Sequence, residues 1–166
     1  MSSITQVIGI DPGLADTGIV SMTFNSFDQS VTVESAVLSA ATPSEIHSLV
    51  MSMIYLDASL GGVFVEEYRP RQKLGSDTDM LALQEGVRAR LPRAVLLPNM
   101  GIRRVIKKPL MEMMGVWSFT TTSHHHDLRS AARIALLGMT KDTRLNLIVA
   151  EVVWAHIHKR PWKVVT

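Results

Sequence analysis

Val7-Ile8-Gly9-Ile10-Asp11-Pro12-Gly13-Leu14-Ala15-Asp16-Thr17-Gly18 reads as an apolar strand that runs into a carboxylate and then a glycine-bearing turn. Val7, Ile8 and Ile10 have the composition of a buried strand, Pro12-Gly13 is a turn signal, and Gly18 opens a second β-rich run through Phe24. Asp11 is the first acidic residue of the chain. The pattern holds it at a strand end, beside backbone that can approach a phosphate closely. Taken alone, such an aspartate is either a metal ligand or a group that hydrogen-bonds its own turn. The rest of the chain decides between them.

Working outward, Thr5 to Ile10, Ile19 to Asn25 and Ser30 to Ser39 are expected as three strands joined by antiparallel hairpins. Thr42-Pro43-Ser44-Glu45 has the form of a capping box with proline at the first helical position. It opens a helix through Ile46, Leu49, Val50 and Met53 that is expected to end near Gly61-Gly62. Val63-Phe64-Val65 is wholly apolar, as a central strand is, and it ends in Glu66-Glu67. Neighbouring strand residues face opposite ways, so one of these two glutamates at most shares a site with Asp11.

Polar residues from Tyr68 to Asp79 predict an exposed loop, followed by a helix over about Thr78 to Leu91 and a fifth strand from Ala94 to Leu97. A basic helix then carries Arg103, Arg104, Lys107 and Lys108 to Pro109, which kinks or restarts it. Ser123 is placed to cap a helix from about His124 to Met139. Leu145, Ile148, Val149, Val152, Val153 and Ile157 form the apolar face of a last helix, with a tail from about residue 159. The expectation is an α/β fold with a mixed five-stranded sheet flanked by helices, in a single domain spanning residues 1–166.

With 166 residues, 46% of them hydrophobic, the chain suits one domain and leaves no room for a second. The absence of cysteine excludes disulfides, thiolate zinc sites and cysteine nucleophiles, so a bound metal takes oxygen or imidazole ligands. Net charge is only +2, but the pI is about 9.2 and the basic residues cluster. The apolar run Leu145 to Ile157 is broken by Glu151 and His156, and the N-terminus lacks a basic stretch leading into an apolar core. A soluble cytoplasmic protein with no membrane partner is expected. Compactness and the lack of an obvious partner-binding tail suit a stand-alone, phage-encoded enzyme acting in its host's cytoplasm.

Three strands, a helix, a strand, a helix, a strand and then helices is the element order of the ribonuclease H-like fold. At the residue level, Gly9-Ile10-Asp11-Pro12-Gly13 with Thr17-Gly18, the strand ending in Glu66 and the C-terminal His124-x-x-Asp127 resemble the signature of the RuvC-type Holliday junction resolvases. The resemblance spans about Ile8 to Leu137. It implies that Asp11, Glu66, His124 and Asp127 hold two divalent ions, Mg²⁺ or in its place Mn²⁺, at a scissile phosphate. Ser123-His124-His125-His126-Asp127 also resembles the corresponding segment of RNA-guided DNA nucleases, where a histidine stands three residues before an aspartate. A shifted register, with Asp127 first and Ser130 second, is the alternative, and it loses one acidic ligand.

Physical chemistry supports the same residue types. Phosphodiester cleavage needs an activated water and stabilised charge on the attacking and leaving oxygens, which two ions about 3.5 to 4 Å apart supply. Carboxylates suit Mg²⁺, and residues three apart at a helix start, as His124 and Asp127 are, share a face. Imidazole is less usual on Mg²⁺ and compatible with Mn²⁺, so His124 either binds an ion or orients or deprotonates the water. Family order favours Glu66 over Glu67, which is left to solvent or to an arginine. His125 and His126 have no assigned role.

Arg69, Arg71 and Lys73, then Arg88, Arg90 and Arg93, then Arg103, Arg104, Lys107 and Lys108 are runs of one sign, suited to phosphate contacts. Tyr68 is either a base-stacking residue at a branch point or a rim tyrosine. Few of these residues make plausible base-reading pairs, so branched shape is the expected recognition feature. The resemblance further implies a homodimer that nicks opposing strands of a four-way junction symmetrically. Met51, Met53, Met80, Met111, Met113 and Met114 offer material for an interface, or for the core. Alternatives are a RuvC-like nuclease for flaps, forks or structured RNA, and a non-catalytic relative that binds branched DNA. The actin and sugar-kinase ATPases share an Asp-Gly turn but need a second large domain, so no nucleotide cofactor is expected.

Overall fold

Three antiparallel strands lead the chain, β1 (Ile4–Asp11), β2 (Asp16–Asn25) and β3 (Ser30–Ser39), as the hairpin spacing predicts. The computed structural model describes residues 4–70, 75–119 and 124–166. After β3 come α1 (Pro43–Met53), β4 (Ser59–Glu67), α2 (Gly75–Arg90) and β5 (Val95–Pro98). The C-terminal part adds α3 (Ile102–Val105), α4 (Lys108–Met113), α5 (His125–Lys141), α6 (Thr143–Ile157) and β6 (Lys163–Val165). The sheet order is β5-β4-β1-β2-β3-β6, with β4 parallel to β1 and β5 parallel to β4.

Alternation along the strands sorts the core into two layers. Ile8, Ile10, Ile19, Val63 and Val65 pack with Ile46 and Val50 of α1 and Leu83 and Val87 of α2. Val7, Val20, Met22, Phe24 and Phe64 face the other way, against α5 and α6. Helix α5 is the most deeply set, with Leu128, Ile134 and Leu136 fully buried. Each such side chain contributes about 1.5 to 3 kcal/mol of hydrophobic stabilisation.

Two local expectations change. Helix α1 begins at the capping box, where the Glu45 amide donates to Thr42 Oγ1 and the Thr42 amide donates to Glu45 Oε2, but it ends at Met53, well before Gly61-Gly62. Buried Gln6 of β1 terminates it: its Nε2 donates to the Met53 carbonyl at 2.6 Å, and its Oε1 accepts the Tyr55 amide at 3.0 Å. Gly61 and Gly62 lie inside β4, where the pairing with β1 jumps from Gln6–Leu60 to Val7–Gly62. The glycine pair marks a β-bulge rather than a helix end.

The sheet has six strands rather than five, because part of the expected tail from 159 forms β6 beside β3. Trp162 anchors it at 4% exposure, and the Lys163 amide donates to the Gln29 carbonyl at 2.8 Å. Pro109 restarts the basic helix as α4 rather than merely bending it. Ser123 lies outside the described residues. Met111 and Met114 are fully buried, Met53, Met80 and Met113 are partly buried against the cores, and Met51 is 52% exposed. Among the described residues, no helix is long and apolar enough to cross a membrane.

Candidate active site

Strand parity places three acids on the α5 side of the sheet at one end. Val7 faces α5, so Asp11, four residues on, does too; Phe64 faces α5, so Glu66 does and Glu67 does not. Asp16 shares parity with Val20 and joins them. The N-terminal turn of α5 then supplies Asp127 and Ser130, three residues apart and therefore on one helix face.

Two glycines allow that approach. A Cβ on Gly9 would stand 2.0 Å from the Ala131 carbonyl oxygen, and one on Gly18 would stand 2.6 Å from the Asp127 carbonyl oxygen. The backbone of α5 thus rests directly on β1 and β2. The same Gly9 and Gly18 that frame the turn in the sequence serve here as seats for a helix over a hundred residues away.

Asp11 lies in hydrogen-bonding reach of Glu66 and Ser130, with the Asp127 charge beside it. Burial, reinforced by the neighbouring Glu66 and Asp127 carboxylates, pushes its pKa up to about 8, against a smaller downward pull from Ser130. Asn99, just past β5, donates from Nδ2 to Glu66 Oε1 and holds that carboxylate from the far side. His124 Nδ1 lies 3.6 Å from Asp127 Oδ2 and 3.7 Å from Asp16 Oδ2. Ligand atoms of Asp16, His124 and Asp127 all fall within 4.8 Å of one another. Asp16 Oδ1 in turn accepts a 2.7 Å hydrogen bond from Ser39 Oγ.

Crowded acids of this kind fit divalent cations. Four carboxylates and an imidazole meet, and the crowding that raises the Asp11 pKa is what a cation's charge would relieve. Asp11, Glu66, Asp127 and His124 are brought together. Asp16, Asn99 and Ser130 adjoin them and were not assigned from sequence. Asp16 fell in the expected turn, ahead of a strand expected from Ile19, and Ser130 appeared only as the second residue of the shifted register.

The expected nucleic-acid residues are more scattered. The Tyr68 hydroxyl donates to Asp77 Oδ1 and its amide donates to Gln84 Oε1 at 2.6 Å, so the residue is tied to α2. Arg69 pairs with Glu67 at 2.7 Å, while Arg71 and Lys73 lie outside the described residues. Arg88 pairs with Glu85 at 3.7 Å. Arg104 and Lys107 are exposed. Arg103 reaches His126 Nε2 at 3.3 Å, beside the site, and Lys108 pairs with Glu112 at 3.5 Å. His125 Nδ1 accepts the Phe119 amide, which ties the start of α5 to the end of the preceding segment.

Among solved structures, the RuvC of Thermus thermophilus in complex with its Holliday junction substrate superposes with a TM-score of 0.54 at 17% identity, covering 80% of this chain and 90% of that one. A second structure of Thermus thermophilus RuvC gives a TM-score of 0.53 at 16% identity over 79% and 91%. The chain has the ribonuclease H-like fold of RuvC. No protein-family model and no curated protein sequence matches it. The RuvC-like likeness therefore lies in the course of the chain, and the chemistry has to be argued from the side chains placed on it.

Proposed function

We propose that the protein is a divalent-metal-dependent endonuclease that resolves four-way DNA junctions by paired symmetric nicks, acting as a homodimer. The observation that carries this reading is the convergence of Asp11, Glu66 and Asp127, from β1, β4 and α5, with His124 beside them. Asp11, Glu66, Asp127 and His124 are the residues that would hold two Mg²⁺ ions, or Mn²⁺. Bound there, such ions supply Lewis-acid stabilisation of the attacking and leaving phosphate oxygens.

The chain's own groups complete the chemistry. Asn99 fixes the rotamer of Glu66, and Ser130 engages Asp11, so two acids are oriented before substrate arrives. His124 stands beside Asp127 and Asp16, where its imidazole is placed to bind an ion or to orient or deprotonate an attacking water. Exposed basic residues such as Arg104 and Lys107 supply phosphate contacts and favour recognition by shape over base sequence. A two-fold dimer matches the approximate symmetry of a four-way junction and places one site on each of two opposed strands.

The deciding experiment is cleavage of a labelled synthetic four-way junction against matched duplex, flap and RNA substrates, with Mg²⁺, Mn²⁺ or chelator, for native protein and Asp11→Asn. Symmetric nicks near the crossover, lost with chelator and in the variant, are expected. Preference for flaps or RNA would move the activity to another substrate, and metal-independent binding without cleavage would overturn the enzymatic reading.

A further inference from the structure

One face of α5 points at the acidic cluster, and the next carries an assembly that the proposed chemistry does not use. Arg129 and Arg133 are one turn apart, in line with His126. Both sit against Trp117, with Arg129 Cζ 4.0 Å and Arg133 Cζ 5.7 Å from the ring centroid, and Lys108 Nζ lies 5.1 Å from the same ring. Arg129 Nε donates to the Trp117 carbonyl at 2.6 Å, so indole and guanidinium are fixed to each other. Arg103 of α3 joins from the side through His126.

The charge here is unbalanced. Among the described residues no acid forms an ion pair with Arg103, Arg129 or Arg133; the nearby Glu112 is engaged by Lys108, and Asp127 by the two histidines. Arg133 Nε is buried and has no hydrogen-bond partner among the described residues. Burial and the neighbouring charges of Arg103 and Arg129 push the Arg133 pKa down, the sign of cations held together without an anion. If packing on Trp117 were the whole purpose, a single cation would serve and the repulsion among three would be a pure cost. A phosphodiester removes that cost and matches the planar donors of arginine.

We propose that Arg129 and Arg133, held on Trp117, together with Arg103 beside them, form a second anion site that grips a nucleic-acid backbone phosphate flanking the one held at the acidic cluster. The inference rests on the nuclease reading for the identity of its ligand. Along α5, Arg129 and Arg133 lie about 3 and about 9 Å beyond Asp127. That is the rise of about one to three nucleotides of a strand. The site therefore sets the register of the cleaved strand, while Trp117 stiffens the guanidiniums that hold it.

The test is binding of a fluorescent four-way junction, and separately of a duplex, in chelator across a series of salt concentrations. Arg129→Gln and Arg133→Gln are each expected to weaken binding several-fold at low salt and to flatten the log affinity against log salt slope by about 0.9, with Arg133→Lys restoring the slope. Arg144→Gln, in the first turn of α6, is the control and is expected to leave the slope as it is. Unchanged slopes in the glutamine variants, or a lysine variant as impaired as the glutamine one, would overturn the site in favour of simple packing. Should Arg133→Gln fail to fold, exposed Arg103→Gln carries the same test. Altered slopes without cleavage under any metal would sink the nuclease reading and leave the anion site standing. Cleavage with unaltered slopes would do the reverse.

Discussion

The Asp127 carbonyl oxygen lies 2.6 Å from where a Cβ on Gly18 would stand, so the start of α5 is seated on the bare backbone of β2. Neither partner can yield cheaply, since both are backbone within regular elements. Gly18→Ala is expected to push the α5 start outward and cost about 1 to 3 kcal/mol. For a chain of this size that is a Tm lower by roughly 2 to 12 °C. Junction cleavage should fall further than stability does, because Asp127 moves away from Asp11. Thermal melts and cleavage rates on the same preparation test this; a variant that melts and cleaves like the parent would mean that α5 does not need this seat.

Asp11 gives the metal-free protein a pH dependence with a definite sign. Its pKa rises from 3.8 to about 8 on folding, so the folded state binds the extra proton between those values. The contribution is whole below about pH 4, declines as pH rises and is lost above about pH 8. Asp11→Asn stays neutral and escapes the decline. In chelator at pH 8.5 it is expected to be more stable than the parent, by an amount on the order of a few kcal/mol at most, with the gap closing toward pH 5. Added Mg²⁺ should raise the Tm of the parent and not of the variant. Parallel melting curves for the two proteins across this range would show that the acids are not crowded in solution.

Local signals carried the sequence reading where the structure depends on local signals. The β1 strand and its turn, the Thr42–Glu45 capping box, the helix expected from about His124 and the apolar periodicity of α6 each lie within one segment, and each is found. What escaped depends on distant partners. Asn99 matters through Glu66, 33 positions earlier, and no spacing rule links them. Gly61-Gly62 resembles a helix stop until Gln6, from another strand, is seen to end α1. Strand β6 has three residues, too few to display alternation. Asp16 fell in the expected turn, and only the start of β2 at Asp16 itself lets counting by twos back from Val20 put it on the side of Asp11.

On the proposed function, Asn99 acts as a positioning residue for Glu66, and its effect is separable from catalysis itself. Its side chain is exposed apart from the bond to Glu66, so Asn99→Ala should leave the Tm nearly unchanged. Releasing Glu66 is expected to weaken metal affinity or activity about 10- to 100-fold. The Mg²⁺ concentration giving half-maximal cleavage should rise, with much of the rate recovered at saturating Mg²⁺. A lower rate with no shift in the metal dependence would assign Asn99 to DNA contact instead.

Trp162 decides whether residues 159–166 belong to the fold. At 4% exposure it closes the core beside β3, and β6 follows it directly. Removing a buried tryptophan side chain costs about 3 to 5 kcal/mol. Its indole nitrogen has no hydrogen-bond partner among the described residues, so the ring contributes through packing alone. Trp162→Phe keeps most of that packing and drops an unsatisfied donor, and should cost much less than Trp162→Ala. Denaturant melts of the two variants and of a chain ending at His158 give the order: phenylalanine nearest the parent, alanine and truncation far below. A truncated chain as stable as the parent would return this segment to the status of a tail.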